Sequence, residues 1–255
     1  MRYAFILAYD GTAYAGWQRQ KNAVSVQEIL ENAVQEALGV RVKITASGRT
    51  DAGVHAAGQV CHFDAAGLTV PPEKLPDCIN RFLPPDIKLL EGFLPREGFD
   101  ANRSAKRKTY RYSFYVSPRE MPLKERYAVR LECAPERTVL ERAAKRLEGE
   151  HDFKAFCASG SSVKTTVRTV YEVRIEESVT YGSRNIDMFV TGNGFLYNMV
   201  RTMAGELMEL ALGKRTAESL SLAFESGERN LVGKTMPAKG LTLIEVDYGD
   251  VKKRH

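Results

Sequence analysis

Hydrophobic and polar positions along the first hundred residues follow patterns typical of β-strands in some stretches and of α-helices in others. Residues 3–9 are apolar and β-rich and end at an Asp-Gly turn signal, which predicts a first strand. Apolar residues then recur at helical spacing over 26–38, after a Ser-x-x-Glu capping box and before Gly39, which predicts a helix. The same reading predicts strands at 42–47, 59–63 and 87–94 and a helix at 72–82.

The second half of the chain shows the same order of patterns. It predicts strands at 109–116, 168–175, 186–191 and 241–248, helices at 139–147 and 196–212, and an extra short helix at 217–225. Each half then reads β-α-β-β-α-β, the split βαβ or ferredoxin-like order. We therefore expect an α+β fold of two ferredoxin-like, RRM-like modules, 1–104 and 105–255, whose antiparallel sheets flank a central active-site cleft.

Composition narrows the class of protein. The 255 residues are 44% hydrophobic, which is typical of a globular chain with a buried core. No apolar run reaches the roughly 18 residues of a membrane span, and the N-terminus lacks a signal-peptide pattern, so we expect a cytoplasmic protein. The four cysteines are scattered without a C-x-x-C pair, which favours reduced thiols over a zinc site or a disulfide framework.

Positive charge is concentrated in the second module. The chain has 37 Lys and Arg against 32 Asp and Glu, and residues 1–104 contribute none of this excess. Basic residues at 103–111 stand beside Tyr110 and Tyr112, a combination that suits phosphates and stacked bases. This pattern favours a nucleic-acid partner, although a solvated basic surface would look the same.

The loop at 46–56 carries the candidate chemistry. Gly48 and Gly53 permit sharp turns, and between them stand Arg49, Thr50 and Asp51. A carboxylate close to a guanidinium stays ionised at neutral pH, so Asp51 can serve as a nucleophile or a base. The alternative is a structural turn in which Asp51 caps a backbone amide and Arg49 is solvated.

The sequence GRTDAGVH at 48–55 resembles the signature of the tRNA pseudouridine synthases of the TruA family. Further stretches are similar to that family's motifs in the expected order, and they lie at 9–20, 25–28, 108–112, 193–201 and 241–248. The resemblance therefore covers nearly the whole chain. One departure is Lys108-Thr109, which stands where two arginines are frequent in the family.

The resemblance implies an activity. The family isomerises uridines at positions 38, 39 and 40 of the tRNA anticodon stem-loop to pseudouridine, with no cofactor and no metal. It implies that Asp51 is the catalytic carboxylate, which attacks C6 of uracil, attacks C1′ of ribose or acts as a base at C2′. The sequence does not choose between these routes.

The resemblance also implies roles for four further residues. Tyr110 would stack on the target uracil, and Arg201 would form an ion pair with the catalytic carboxylate. Leu243 would form part of the apolar wall beside the base, while Arg49 would help to hold the target nucleotide out of its helix. The implied assembly is a homodimer that binds one tRNA across both subunits.

Two other classes of protein remain alternatives. One is a catalytically silent RNA-binding protein, although the Gly-Phe-Gly-Phe-type run of such modules is absent. The other is a carboxylate-dependent hydrolase such as a nucleosidase. His55 and His62 could act as general acid-base groups, but ordering a loop or filling a strand face suits them better. The polar segments 117–126 and 159–165 are expected to be solvated connectors.

Overall fold

The computed structural model describes residues 1–158, 160 and 163–251. They form two compact units: unit 1 is Met1–Arg107 with the chain from Leu243 onwards, and unit 2 is Lys108–Thr242. The boundary near residue 107 lies close to the one expected at 104, but the chain from Leu243 packs with unit 1 rather than with the second module. The three serines of the 159–165 segment lie outside the described residues.

Ten strands and six α-helices are present in the described part of the chain. The strands are β1 (Arg2–Tyr9), β2 (Thr45–Ala46), β3 (His55–Asp64), β4 (Ile87–Phe93), β5 (Arg107–Val116), β6 (Val129–Leu131), β7 (Gly149–Asp152), β8 (Val167–Thr180), β9 (Ser183–Gly192) and β10 (Leu241–Asp247). The helices are α1 (Val26–Leu38), α2 (Leu75–Ile79), α3 (Pro122–Glu125), α4 (Arg137–Lys145), α5 (Met199–Ala211) and α6 (Ala217–Ser226).

Unit 1 is built on the strand order β4-β1-β3-β10, with β2 paired to β3. β1 is antiparallel to both β3 and β4. α1 follows its sequence signals closely: the Ser25 hydroxyl accepts the Glu28 N–H at 3.3 Å, and Gly39 ends the helix in the left-handed conformation. The buried face of α1 includes Leu30 and Val34.

Two predictions in unit 1 were wrong in extent. The helix expected at 72–82 is a 3-10 turn at Pro72–Lys74 followed by the short α2. Just after its end, the Asn80 side-chain amide binds both backbone groups of Leu89 in β4, each at 2.9 Å. The strand expected at 42–47 is only Thr45–Ala46, paired with His62 and Cys61 of β3.

Unit 2 has the antiparallel strand order β5-β9-β8-β7, and β6 is parallel to β5. The short elements α3, β6 and β7 were not predicted. β8 runs beyond its predicted end at 175 to Thr180, where Tyr181 and Gly182, both with positive φ, turn the chain into β9. The guanidinium of Arg184 binds Glu177 at 2.6 Å and so pairs the two polar ends of this hairpin.

The described residues therefore form a mixed α/β fold with mostly antiparallel sheet. In unit 1 the element order up to β4 agrees with the predicted β-α-β-β-α-β order. In unit 2 the added short elements interrupt that order, so the ferredoxin-like description stays a prediction. No helix in the described ranges is long and apolar enough to cross a membrane.

Candidate active site

The Asp51 loop connects β2 to β3 in unit 1, and Asp51 itself is half-buried. The loop closes in a tight turn, in which the Val54 N–H donates to the Asp51 carbonyl at 3.1 Å. Gly53 takes a φ of +78° in this turn, a conformation that favours glycine. The sequence thus identified the two features that make the turn possible, the glycine and the short polar stretch before it.

The segment after β1 fixes the backbone on both sides of Asp51. The Trp17 N–H donates to the Thr50 carbonyl at 3.0 Å, and the Gly53 N–H donates to the Tyr14 carbonyl at 3.3 Å. Gly16 has a φ of +90°, and a Cβ there would lie 2.5 Å from the Thr50 carbonyl oxygen. Only glycine permits this approach, because any side chain would force the two backbone segments apart.

A hydrogen bond between two buried side chains fixes the loop to β1. The Thr50 hydroxyl shares a 2.8 Å hydrogen bond with the Tyr9 hydroxyl, and burial raises the pKa of Tyr9 to about 12. The Tyr9 hydroxyl is therefore neutral at physiological pH and serves as a hydrogen-bonding group. This contact joins residues 41 positions apart, so no local pattern in the sequence indicated it.

The first half of the loop has its own supports. The Gln59 amide donates to the Gly48 carbonyl at 3.0 Å, and the Asn102 amide donates to the Ser47 carbonyl at 2.7 Å. The Ser47 hydroxyl donates to Gln59 Oε1 at 2.5 Å. Gln59 and Asn102 were not predicted as site residues, because their roles depend on contacts between distant parts of the chain.

His55 and His62 are both buried and both accept a backbone hydrogen bond. The Gly11 N–H lies 3.0 Å from His55 Nδ1, which is also 3.1 Å from a carboxylate oxygen of Asp10. The Ala101 N–H donates to His62 Nδ1 at 3.1 Å, and burial lowers the pKa of His62. These contacts suit histidines that order loops and fill a strand face, the role preferred from the sequence.

Arg49 and Leu243 are also in unit 1. Arg49 is exposed beside the half-buried Asp51, so its guanidinium is accessible to a ligand. Leu243 is fully buried in β10, which pairs with β3 in the unit's sheet. Its burial is compatible with the expected role in an apolar wall beside the base, but it was predicted to lie in the second module and lies in unit 1.

Tyr110 and Arg201 belong to unit 2. Tyr110 is buried on β5, where its ring and the ring of Phe195 pack nearly perpendicular to each other, with a centroid distance of 5.2 Å. On the same strand, burial lowers the pKa of the Lys108 ammonium to about 8. A lysine with a lowered pKa loses its proton at a lower pH than an exposed lysine does.

Arg201 lies in the first turn of α5, and the acceptors of its guanidinium include a backbone carbonyl and a side-chain amide oxygen. Its Nε donates to the Met236 carbonyl at 2.7 Å, and its Nη1 donates to the Asn198 side-chain oxygen at 2.6 Å. Asn198 stands just before the helix with a φ of +63°, so α5 begins at Met199 rather than at the predicted 196. These two bonds fix the orientation of a planar, permanently charged group.

The structure thus places the five predicted site residues in two sets. Arg49, Asp51 and Leu243 lie in unit 1, whereas Tyr110 and Arg201 lie in unit 2. Among the described residues, no group of three or more His, Cys, Asp or Glu side chains could hold a metal ion. The chemistry available from these side chains is that of a carboxylate, an aromatic ring and fixed positive charges.

Comparison with known proteins gives a consistent result. The tRNA pseudouridine synthase family model matches residues 5–91 and 143–249. The tRNA pseudouridine synthase A of Shouchella clausii is 44% identical over 249 residues, which cover 97% of this chain and 94% of that protein. The tRNA pseudouridine synthase A of Bacillus subtilis is 39% identical over 250 residues, which cover 97% of this chain and 99% of that protein.

A similar match joins the chain to a third bacterial protein. The tRNA pseudouridine synthase A of Syntrophotalea carbinolica is 42% identical over 248 residues, which cover 95% of this chain and 94% of that protein. A solved Cbf5-Nop10-Gar1 complex aligns with a TM-score of 0.37 at 13% identity, covering 95% of this chain and 49% of that one, which is too weak to establish a shared fold. On the family match and the three relatives, the chain belongs to the tRNA pseudouridine synthases, which are isomerases.

Proposed function

We propose that this protein converts uridines at positions 38, 39 and 40 of the tRNA anticodon stem-loop to pseudouridine, with Asp51 as the catalytic carboxylate and without a cofactor. One observation carries the assignment to Asp51. Its loop is fixed by hydrogen bonds to Thr50 on one side and Gly53 on the other, while Asp51 itself is only half-buried. A carboxylate on a rigid support and within reach of solvent suits a group that must meet a substrate atom.

The proposed reaction rearranges atoms within one nucleotide. The bond from N1 of uracil to C1′ of ribose breaks, a bond from C5 to C1′ forms, C5 loses its proton and N1 gains one. Substrate and product are isomers, so the reaction needs no oxidant, reductant or group donor. Asp51 would form a covalent bond at C6 or C1′, or would take the proton at C2′, and the proposal covers all three routes.

The other four residues receive supporting roles in this proposal. Arg201 contributes the positive charge that keeps the catalytic carboxylate ionised. Tyr110 stacks on the target uracil and takes part in the proton transfer, and Leu243 forms part of the apolar wall beside the base. These roles rest on the family motifs in which the residues stand, at 108–112, 193–201 and 241–248.

Arg49 is proposed to hold the target nucleotide out of its helix. A paired and stacked uridine hides its glycosidic bond, so the nucleotide must be extruded at a cost of a few kcal/mol before any reaction. Arg49 is exposed close to Asp51 in the chain, and an exposed guanidinium can bind a phosphate of the RNA.

The assembly forms a further part of the proposal. We expect a cytoplasmic homodimer of chains with two ferredoxin-like modules that binds one tRNA across both subunits. One such module is too small to follow a whole tRNA. Sedimentation with and without tRNA tests this: a dimer with one tRNA supports the assembly, and a monomer at all concentrations contradicts it.

Pseudouridine mapping tests the activity and its target positions. Carbodiimide primer extension is carried out on tRNA from a strain that lacks this protein, from its parent and from the complemented strain. We expect stops at positions 38, 39 and 40 in the parent and the complemented strain, and their loss in the deletion strain. Unchanged stops in the deletion strain would contradict the proposal.

A second assay, with purified protein, separates the proposal from the two alternative classes. Incubation of purified protein with anticodon stem-loop RNA yields free uracil if the protein is a nucleosidase, because the broken glycosidic bond is then captured by water. A silent RNA-binding protein yields neither free base nor pseudouridine. The proposal expects pseudouridine in the RNA and no free base.

A further inference from the structure

Glu206 is a fully buried carboxylate in the middle of α5 in unit 2. Its Oε2 accepts the Gly233 N–H at 2.6 Å, and the Arg215 Nε lies 3.8 Å from the same oxygen. Its Oε1 has no hydrogen-bond partner in the described part of the chain and is shielded from solvent. Such a carboxylate costs free energy to bury, and burial raises its pKa.

The backbone that Glu206 holds is the 232–236 segment, an extended stretch that lies directly against α5. A Cβ at Gly205 would come 1.9 Å from the Lys234 carbonyl oxygen, and a Cβ at Gly233 would come 2.6 Å from the Glu206 nitrogen. Both glycines are therefore required for the two backbones to approach so closely. Glu206 stands at the centre of this contact.

The 232–236 segment leads directly to Arg201. The Met236 carbonyl accepts the Arg201 Nε–H at 2.7 Å, and the Met236 N–H donates to the Arg201 carbonyl at 3.2 Å. Between these ends the Thr235 hydroxyl shares a 3.1 Å hydrogen bond with Thr202. The segment thus connects the buried carboxylate of Glu206 to the guanidinium of Arg201 by a short chain of contacts.

Among the attachments of this segment to α5 side chains, the bond to Glu206 is the shortest. The Lys234 N–H lies 3.3 Å from the carboxylate of Glu209, which is half-buried and paired with Arg215. Burial of the Glu206 carboxylate removes competition from water for this hydrogen bond. Glu206 therefore attaches the Gly233 end of the segment to α5, while Arg229, outside that helix, donates to the Val232 and Gly233 carbonyls.

We propose that Glu206 is a positioning residue for Arg201: it fixes the 232–236 segment on α5, and the segment presents the Met236 carbonyl that orients the Arg201 guanidinium. This inference rests on the proposed function, in which Arg201 stabilises the catalytic carboxylate. It also explains why the chain retains a buried carboxylate with one oxygen that makes no hydrogen bond within the described residues. The charged groups near Glu206 are Glu209, Arg215 and Arg229.

The test compares single-turnover rates of E206A, E206Q and the wild-type protein on anticodon stem-loop RNA. We expect E206A to lower the rate constant by about 5- to 10-fold, no more than R201K does, with an almost unchanged half-saturating enzyme concentration, because a misplaced charge acts on the chemical step. E206Q keeps an oxygen for the Gly233 N–H, so its rate should remain within about threefold of the wild-type rate. If E206A does not fold, E206D replaces it, since the shorter side chain withdraws the same acceptor.

Two controls exclude a merely structural role. L140A removes a fully buried side chain of α4 and serves as a variant of comparable instability with an intact 232–236 segment. In an R201K background, E206A should add less than about a twofold loss, because the two residues act through one guanidinium. An E206A rate equal to that of L140A, or the full loss on top of R201K, would overturn the proposal.

These outcomes are distinct from a failure of the proposed function. If the wild-type protein makes no pseudouridine, the proposed function fails and so does the role of Glu206. If the wild-type protein is active and E206A is equally active, only the role of Glu206 is rejected.

Discussion

The two charged groups proposed to act on the substrate are supported in different ways. At Asp51 the backbone of the loop is fixed through the neighbours Thr50 and Gly53. At Arg201 the guanidinium itself donates to the Met236 carbonyl and to the Asn198 side chain. The loop that carries the proposed catalytic carboxylate thus has a fixed backbone, and the guanidinium proposed to supply positive charge has a fixed orientation.

This difference determines what a substitution does in each region. In unit 1 the sensitive positions are those where backbone meets backbone, such as Gly16. In unit 2 the sensitive position is the side chain of Arg201, together with the Met236 and Asn198 oxygens that accept its N–H groups. Substitutions at these positions test the two kinds of support separately.

Among substitutions of residues that support the two charged groups, the largest effect is expected for G16A. The new Cβ would lie 2.5 Å from the Thr50 carbonyl oxygen at a φ of +90°, so the loop must move. Displacement of about 1 Å costs roughly 100-fold in rate, and we expect such a loss in kcat. The control is G39A, which has a φ of +69° and no atom within 4 Å of the added Cβ.

G39A should cost about 1 to 2 kcal/mol of stability, because it strains a left-handed residue at a helix end, and should leave kcat unchanged. Equal kcat values for G16A and G39A, measured well below both melting temperatures, would show that the Asp51 loop does not depend on Gly16.

A smaller loss is expected for R201K. A lysine keeps the charge but cannot donate at both positions of the planar fork, so the charge is no longer oriented. We expect kcat to fall about tenfold with little change in the Kd for tRNA. R137K, at an exposed arginine of α4 paired with Glu141, is the matched control and should keep the wild-type rate. A wild-type rate for R201K would show that the orientation of this charge does not affect the reaction.

The smallest effect concerns pH and stability in unit 1. Burial lowers the pKa of His62, so the unfolded chain binds the proton at a higher pH than the folded chain does. The stabilising contribution is complete above the ordinary histidine pKa of about 6.5 and is lost as the pH falls below it. In urea unfolding at pH 7.5 and pH 5, H62Q should lose less stability on acidification than the wild-type protein, and an equal loss would contradict this.

Local signals in the sequence predicted the ends of a helix where its capping residues belong to the pattern. α1 was predicted at its observed bounds because its cap at Ser25 and its stop at Gly39 lie within the helix signal itself. α5 was predicted to begin at 196, because the left-handed conformation of Asn198 is imposed by its surroundings rather than by a sequence pattern. The Asp51 turn was predicted from its two glycines.

What the sequence did not reveal are contacts between distant positions. The hydroxyl of Tyr9, the amide of Asn102 and the carboxylate of Glu206 each bind a group at least 27 positions away. None of these residues has a distinctive local pattern, and their partners are known only once the strands and helices are packed. Long-range polar contacts therefore need the folded structure, even where the catalytic motif is readable.

The catalytic role of Asp51 is tested by the single-turnover rate of D51A on anticodon stem-loop RNA, with D77A, at an exposed aspartate of α2, as the control. We expect no detectable pseudouridine with D51A, corresponding to a loss of at least about 10³-fold, because no other group replaces the carboxylate. Binding of the RNA should persist, and D77A should react at the wild-type rate. Pseudouridine formed by D51A at a rate near that of the wild-type protein would contradict the role of Asp51.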